Sequence, residues 1–180
     1  MQDQQGKLQI IKWINEDPLR REALDVASRL SLPDWCLAAG FVRNLVWDKL
    51  HEYAEATPLN DIDLIYFDPD FKHSETEIED QLKSVLGLPW SVKNQARMHI
   101  RNGDQPYKST SDAMSYWVEV ETAVGATVRN GECDIIAPFG IAALFQNTVT
   151  INTKRPKPDD FDSRLKSKGW LEIWPKLKVL

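Results

Sequence analysis

The sequence predicts a mixed β-sheet flanked by helices, in a domain of the α+β class, with the α/β class left open. Apolar residues recur at helical spacing in several segments, and short apolar runs rich in β-formers lie between them. One Asn-Gly pair, Asn130-Gly131, stands between two such runs. That pair is typical of a tight β-hairpin, which requires antiparallel strands. The 180 residues fit a single domain.

Helix and strand signals alternate through the first half of the chain. Asp17-Pro18 is a favourable helix start, because aspartate caps helices and proline is tolerated at the first helical position. Gly40 follows a short apolar run and precedes a new apolar stripe at helical spacing. In order, we expect N-terminal helices over residues 1–30, a strand at 35–38, a helix between 42 and 53, a loop at 54–60 and a strand at 62–67.

The second half is predicted to contain the hairpin and several shorter elements. Ser74 begins a polar amphipathic helix, and Gly87 is its expected C-terminal cap. In order, we expect a helix at 74–86, a strand at 90–94, a loop at 103–111, a short helix at 112–117, hairpin strands at 126–129 and 132–136, a short helix within 138–147, and one helix with irregular connections in the C-terminal segment, 151–180.

Charge is distributed unevenly along the chain, whose net charge is −5. Residues 151–180 contain eight basic and four acidic side chains, a net of +4, so the first 150 residues carry −9. This acidic body argues against binding to duplex DNA, which attracts basic surfaces. The basic C-terminal segment could contact a phosphate or an RNA acceptor, although solvated lysines would give the same composition.

The cysteines and the hydropathy pattern favour a cytoplasmic protein. Cys36 and Cys133 each lie in an apolar strand-like run, which indicates buried free thiols instead of a disulfide. No apolar run is long enough for a membrane helix, and the polar N-terminus does not resemble a signal peptide. We therefore expect reducing surroundings and no membrane partner.

Asp61 and Asp63 are the clearest sign of chemistry in this chain. They flank Ile62 at the start of an apolar run that ends at Phe67. On a strand, residues at spacing two point to the same face, so the two carboxylates repel unless a cation lies between them. A capping role would explain Asp61 but not Asp63, because an unpaired carboxylate in an apolar strand is costly to bury. The pair therefore predicts half of a site for Mg²⁺ or Mn²⁺ with a nucleotide.

The turn at Gly40 could supply the other half of that site. A strand followed by glycine and a helix start leaves free backbone N–H groups, which favour anions such as a triphosphate. Glycine lets a phosphate approach the backbone closely. Arg43 and Asn44 lie in the first turn of the helix, where a guanidinium could pair with phosphate oxygens. A glycine before a helix can also be an ordinary tight turn.

A third carboxylate would complete a site for phosphoryl or nucleotidyl transfer with two metal ions. Asp134 is the best candidate, because it lies on the second hairpin arm just before the apolar residues 135–137. Glu132 shares its face and is the reserve, although its place beside the turn suggests exposure. Glu119 and Glu121 also alternate, and we expect them at the surface.

These residues resemble a known superfamily. Residues 39–44, Ala-Gly-Phe-Val-Arg-Asn, and residues 60–63, Asn-Asp-Ile-Asp, are similar to the Gly-Gly-x-Val-Arg-Asp and Asp-x-Asp pattern of tRNA CCA-adding enzymes, in the DNA polymerase β-type nucleotidyltransferase superfamily. Most of the chain beyond the N-terminal helices resembles still more closely a bacterial family of nucleotidyltransferase-like proteins of this length. The runs that carry this resemblance are residues 38–47, 57–68, 92–99, 134–145 and 170–179.

The resemblance implies a polymerase β-type nucleotidyltransferase core in a single domain over residues 1–180. It implies that Gly40 belongs to the turn that binds the nucleotide phosphates. It also implies that Asp61 and Asp63 bind divalent metal ions and that Asp134 is the third catalytic carboxylate and a further metal ligand.

Two features depart from the pattern of the CCA-adding enzymes. Ala39 replaces the first glycine of the pair, which would narrow the phosphate turn. The connection between Asn44 and Asp61 is longer, so the substrate specificity of those enzymes does not carry over. The chain also shows no module of the kind that binds tRNA in those enzymes.

A dense polar run follows the predicted strand at 90–94. We expect Lys93, Asn94 and Arg97 to line the acceptor or base side of the nucleotide cleft, although a surface junction between a strand and a helix would explain the run equally well. Arg129 and the pair Lys154-Arg155 are weaker candidates for phosphate contact.

The sequence thus predicts a Mg²⁺-dependent enzyme that transfers a nucleoside monophosphate from a nucleoside triphosphate to a hydroxyl acceptor. The acceptor could be a small molecule, an RNA or a protein. The alternative is a catalytically inactive nucleotide-binding or regulatory module, which the alanine at position 39 and the missing tRNA-binding module motivate. A third interpretation is a nucleotidyltransferase toxin, as in some relatives within the superfamily.

Overall fold

A computed structural model describes residues 2–180 of the protein. The helices, in chain order, are α1 (Asp3–Glu16), α2 (Pro18–Ser28), α3 (Gly40–Leu50), α4 (Glu75–Val85), α5 (Met98–Asn102), α6 (Thr110–Met114), α7 (Pro158–Lys168) and α8 (Trp170–Ile173). The strands are β1 (Cys36–Ala38), β2 (Ile62–Tyr66), β3 (Trp90–Asn94), β4 (Gly125–Arg129), β5 (Glu132–Ile136), β6 (Thr148–Val149) and β7 (Lys178–Val179).

Five strands form one mixed sheet in the order β3-β2-β1-β4-β5. β2 and β3 run parallel, and the other neighbouring strands are antiparallel. This sheet with its flanking helices confirms the predicted α+β fold. Asn130 and Gly131 have φ angles of +51° and +78°, the left-handed pair that a type I′ hairpin turn requires, so the predicted hairpin is confirmed as well.

The two faces of the sheet have different neighbours. Alternation along β2 turns Ile62, Leu64 and Tyr66 to one face, where they pack in the main core with apolar residues of α1 to α4. Asp63 and Ile65 point to the opposite face, where Ile65 joins a smaller cluster that includes α6. An aspartate fits within this apolar strand because its side chain avoids the main core.

The C-terminal segment packs on α3 through aromatic side chains. The ring centroid of Trp47 in α3 lies 5.8 Å from that of Trp170 and 5.1 Å from that of Trp174. The indole N–H of Trp174 donates to Oδ1 of the buried Asp48 at 2.8 Å. These contacts hold the basic C-terminal segment against the helix that begins at Gly40.

Two predicted helix ends are wrong. Gly87 is not the cap of α4, because the helix ends at Val85 and its C-cap is Leu86, whose backbone is extended with φ at −141°. The short helix expected from Asp112 begins earlier, at Thr110. The side chain of Ser109 caps it by accepting from the backbone N–H of Asp112.

The region after the hairpin also differs in part from the prediction. The short helix expected within residues 138–147 is present as a 3₁₀ helix, Ala143–Gln146. Gly140, with a left-handed φ of +72°, precedes it. The C-terminal segment forms two helices instead of one. Its last strand, β7, returns to pair in parallel with β6.

Both cysteines are free, Cys36 buried and Cys133 half-buried, as the sequence predicted. Within residues 2–180, every helix is too short or too polar to cross a membrane.

Candidate active site

The turn between β1 and α3 presents free backbone donors. Ala39 has φ at +56° and ψ at −123°, and Gly40 is the first residue of α3. Within residues 2–180, no hydrogen bond takes up the backbone N–H groups of Gly40 and Phe41. A Cβ on Gly40 would lie 3.2 Å from Nδ2 of Asn44, so a side chain would be crowded there. Free donors at the positive end of a helix dipole favour an anion.

Arg43 lies beside this turn and is held tightly. Its guanidinium donates to Oγ1 of Thr122 at 2.7 Å. The guanidinium carbon lies 5.0 Å from the ring centroid of Trp47 and 4.6 Å from that of Trp170. Burial lowers the pKa of Arg43 to about 10, and the charge of Glu119 opposes that fall. Arg43 is therefore a fixed cation at neutral pH, joining α3 to the C-terminal segment.

Asp61 is exposed in the loop before β2, and Asp63 is half-buried within the strand. In the sheet, Asp63 pairs with Ala38 on β1 and with Ser91 on β3. Burial, and then the charge of Asp61, raises the pKa of Asp63 to about 6. Three cations oppose this rise: Arg43, Lys168 and Arg164. The repulsion between the Asp61 and Asp63 carboxylates, which their spacing predicts, is thus present in the structure.

A cavity of about 520 Å³, here called the phosphate cavity, joins the turn, the aspartates and the C-terminal helices. The cations Arg164 and Lys168 of α7 contribute to its lining. The structure therefore brings five of the predicted site residues together: Gly40, Arg43, Asn44, Asp61 and Asp63. Anion donors, cations and a carboxylate pair around one cavity suit a metal-bound polyphosphate.

Glu119 and Arg164 are the site residues that sequence reasoning missed. Glu119 is buried, with 1% of its surface exposed, so its expected place at the surface is wrong. Arg164 donates to it through Nε at 2.5 Å and through Nη2 at 3.2 Å. Thr122 donates to the same carboxylate at 2.8 Å. The ion pair fixes α7 beside the aspartates, and no local sequence pattern signals it.

Glu121 is also buried, with 1% exposed. Its carboxylate accepts hydrogen bonds from Thr148 and Thr150. Both glutamates of this alternating pair therefore satisfy structural contacts, and the surface position expected for Glu121 is wrong.

Asp134 does not lie with the aspartate pair. It is on the edge strand β5, opposite Thr127 of β4, and two strands separate β5 from β2. At the usual strand spacing, this places β5 roughly 14 Å from β2. Asp134 instead lies 3.5 Å from the guanidinium of Arg129. The assignment of Asp134 as third carboxylate is corrected, because β4 pairs with β1 and leaves β5 at the sheet edge.

The polar run after β3 divides among three environments. Lys93 lines a second cavity, not the phosphate cavity. Asn94 is buried, accepting from the backbone N–H of Asp68 at 3.0 Å and donating to the Asp68 carbonyl at 2.8 Å. The guanidinium of Arg97 lies 3.8 Å from the ring centroid of Phe71. Asn94 and Arg97 therefore have structural roles away from the phosphate cavity, contrary to the prediction.

The weaker candidates for phosphate contact, Arg129, Lys154 and Arg155, each contact other side chains. Arg129 is on the hairpin with Asp134. Lys154 lies over the ring of Tyr116 at 4.3 Å, and Arg155 donates to the carboxylate of Asp104 at 2.6 Å.

Within the part of the chain described, no three His, Cys, Asp or Glu side chains cluster closely enough to hold a metal ion. The aspartate pair alone offers carboxylate oxygens in the phosphate cavity. Mg²⁺ needs few protein ligands, because waters and substrate phosphates usually complete its coordination. The residues present therefore fit a divalent ion that arrives with a nucleotide.

Solved structures with a similar fold include CCA-adding enzymes and a tRNA-processing enzyme. A protein whose NMR structure reveals a CCA-adding enzyme head domain matches with a TM-score of 0.82 and 30% identity, over 97% of this chain and 95% of that one. A CCA-adding enzyme in complex with CTP matches with a TM-score of 0.61 and 13% identity, over 94% of this chain and 42% of that one. A tRNA-processing enzyme complex matches with a TM-score of 0.57 and 14% identity, over 88% and 43%.

The latter two likenesses, at low identity, show the fold alone, and this chain spans less than half of those proteins. A search among curated proteins finds no match. A family model described as nucleotidyltransferase matches residues 25–179, which include the turn, the aspartate pair and α7. The chain therefore belongs to this nucleotidyltransferase family.

Proposed function

We propose that this chain transfers a nucleoside monophosphate from a nucleoside triphosphate to a hydroxyl acceptor, with Mg²⁺ or Mn²⁺ bound by Asp61 and Asp63. One observation carries the proposal: the aspartate pair shares a cavity with Gly40, whose backbone N–H is free, and with cations of α7. Family membership supports the reaction class. The CTP bound by a protein of similar fold makes CTP the first triphosphate to test.

The chain's own residues would orient the triphosphate. The free N–H of Gly40 would donate to a phosphate oxygen at the start of α3. Lys168 would neutralise negative charge on the opposite side of the nucleotide as a charge-assisted donor, beside Arg164, which is held by its ion pair with Glu119. When bound, the divalent ion would neutralise charge that develops on the phosphates during transfer.

The bond changes balance without a further reactant. The acceptor's hydroxyl oxygen forms a bond to the α-phosphorus, and the bond between that phosphorus and the bridging oxygen to the β-phosphate breaks. Pyrophosphate leaves with that oxygen, and the hydroxyl proton passes to water. Nucleoside triphosphates and the two free thiols both suit the cytoplasm, where we place the protein.

The test is pyrophosphate release from each nucleoside triphosphate, with Mg²⁺ and a cell extract as the source of acceptor. Asp63→Asn should lower the rate by about a hundredfold or more, since metal ions supply several kcal/mol of charge stabilisation. Asp80→Asn is the matched control, because Asp80 is exposed on α4 and lines neither cavity. Equal rates for Asp63→Asn and the wild type would refute the proposal.

A second candidate is a nucleotide-binding module that performs no transfer. It is favoured by the position of Asp134, which leaves no third carboxylate with the aspartate pair among residues 2–180. Calorimetric titration with CTP and Mg²⁺ separates the two functions when combined with the pyrophosphate assay. Binding that depends on Asp63, without pyrophosphate release from any triphosphate, would favour the module.

A further inference from the structure

A second cavity, of about 500 Å³, lies next to the phosphate cavity. The two share Ala39, Asp63 and Arg164 in their linings. Anything bound in the second cavity therefore lies beside the carboxylate at which the nucleotide's phosphates are expected. Its size is in the range of pockets that bind small molecules.

The lining of this cavity suits a ligand with a planar or apolar part. Ile65, Met98 and Trp117 give it an apolar and aromatic surface. Gln95 lines the cavity, and only 4% of its surface is exposed. Its side-chain amide makes no hydrogen bond within residues 2–180 and reaches solvent, so it is available to a ligand as a donor and an acceptor.

The charge of the lining argues against a polymeric acceptor. Its lining contains as many carboxylates as cations, three of each, and one cation, Arg164, is paired with the buried Glu119. RNA is normally bound by a surface with excess positive charge. A cavity of this size with a balanced charge instead suits one small molecule with hydrogen-bonding groups.

We infer that this second cavity binds the acceptor, and that the acceptor is a small hydroxyl compound with a planar or apolar part, not an RNA or a protein. The inference rests on the proposed transfer reaction. The acceptor's ring would pack on Trp117 and Met98, with its polar edge at Gln95. Its hydroxyl would point towards Asp63, where the two cavities meet.

Ser163→Phe tests the inference by filling the cavity from its rim. Ser163 is exposed on α7 and lines the second cavity but not the phosphate cavity. Ser167→Phe is the matched control, because Ser167 is exposed one turn later and lines neither cavity. The first measurement on each protein is the affinity for CTP with Mg²⁺. The second is pyrophosphate release with the low-molecular-weight fraction or with the macromolecular fraction of a cell extract. The third is the change in NMR shift of the Gln95 and Asn102 side-chain amides when the low-molecular-weight fraction is added.

We expect wild type and Ser167→Phe to release pyrophosphate with the low-molecular-weight fraction and to show amide shifts. Ser163→Phe should lose the shifts and release pyrophosphate about tenfold more slowly or worse, as a pocket that excludes its substrate does. Its CTP affinity should remain within about twofold of wild type, because the phosphate cavity is untouched.

Three results would overturn the inference while leaving the transfer reaction intact. An equal loss of CTP affinity in Ser163→Phe would place the nucleotide's own base in this cavity. Release that requires the macromolecular fraction would identify a polymeric acceptor. Unchanged pyrophosphate release by Ser163→Phe, without amide shifts in wild type, would show that the cavity binds no acceptor.

A fourth result would refute the transfer reaction instead. If amide shifts appeared in wild type but not in Ser163→Phe, and no fraction gave pyrophosphate release, the cavity would still be a small-molecule site.

Discussion

The two sides of the phosphate cavity are built in different ways. One side comes from neighbouring segments, residues 39–44 and 61–63, on the adjacent elements β1, α3 and β2. The other side comes from α7, far later in the chain, and depends on the ion pair between Arg164 and Glu119. A local motif can therefore define the chemistry of a site, while a buried long-range contact decides which cations surround it.

The largest expected effect is on stability, from breaking that long-range contact. Arg164→Leu leaves Glu119 buried without its ion-pair partner, and the loss of one partner of a buried pair costs about 3 kcal/mol. The free energy of unfolding, from urea denaturation, measures this cost. The double variant Arg164→Leu with Glu119→Leu should recover part of it, because neither partner of the pair remains while the buried Arg43 loses a nearby carboxylate.

Glu119→Leu alone leaves Arg164 unpaired, but the Arg164 side chain is 32% exposed and can reach water, whereas the Glu119 side chain is 1% exposed. The same variant also removes the charge that supports the buried Arg43. A loss below about 0.5 kcal/mol for Arg164→Leu would class the contact with ordinary surface pairs and would mean that other contacts set the position of α7.

The same contrast explains which predictions from the sequence were confirmed. The hairpin turn at Asn130 follows from a local rule, the left-handed conformation of its two turn residues. Asp61 and Asp63 are close in the sequence, and both line the phosphate cavity. The placement of Asp134 failed because it depends on strand order, which put β4 instead of β5 beside β1. The burial of Glu119 depends on a partner 45 residues away, and no period or spacing in the sequence encodes that partner.

On the local side, pH provides the next test. Asp63 has a pKa raised to about 6, and a carboxylate must be ionised to bind a metal ion. The affinity for Mg²⁺ with CTP should therefore fall by roughly tenfold for each pH unit below about 6, and should be nearly constant above pH 7. Isothermal calorimetry measures it. A flat profile between pH 7 and 5 would contradict a metal-binding role for Asp63.

The metal-free chain should respond in the opposite direction. Because the folded pKa of Asp63 lies above the ordinary aspartate value of 3.8, the folded state binds the proton more tightly than the unfolded state does. The contribution of this group to stability is then largest below about pH 4 and is lost as pH rises through about 6. The urea unfolding midpoints of wild type and Asp63→Asn are measured across this pH range. Their difference isolates the contribution of Asp63 from that of the other titrating groups.

Lys168 provides a smaller test of the α7 side. It lines the phosphate cavity and is exposed, and it makes no ion pair among residues 2–180. Lys168→Leu should weaken CTP binding by about tenfold through the loss of one phosphate contact, with a change in unfolding free energy within about 0.5 kcal/mol. Lys166→Leu is the control, since Lys166 is exposed on the same helix and lines neither cavity. Equal CTP affinities in the two variants would remove α7 from the phosphate site.

The smallest expected effect concerns Ala39, where the sequence departs from the double glycine of similar enzymes. Its φ of +56° and ψ of −123° match the first central position of a type II′ turn, which favours glycine. A side chain held in such a conformation costs about 1–3 kcal/mol. Glycine would relieve this strain in the folded state but would also make the unfolded chain more flexible, which opposes folding. Ala39→Gly should therefore stabilise the fold by a net of about 1 kcal/mol.

Ala38→Gly is the matched control for that variant. Ala38 is buried within β1, where glycine only adds flexibility and removes packing, so it should destabilise the fold by about 1 kcal/mol. If urea denaturation gives changes in unfolding free energy of opposite sign for Ala39→Gly and Ala38→Gly, the backbone strain lies at Ala39, in the turn before α3. If Ala39→Gly destabilised the fold as Ala38→Gly does, the left-handed conformation would carry no strain, and the alanine would be as well suited to this turn as the glycine it replaces.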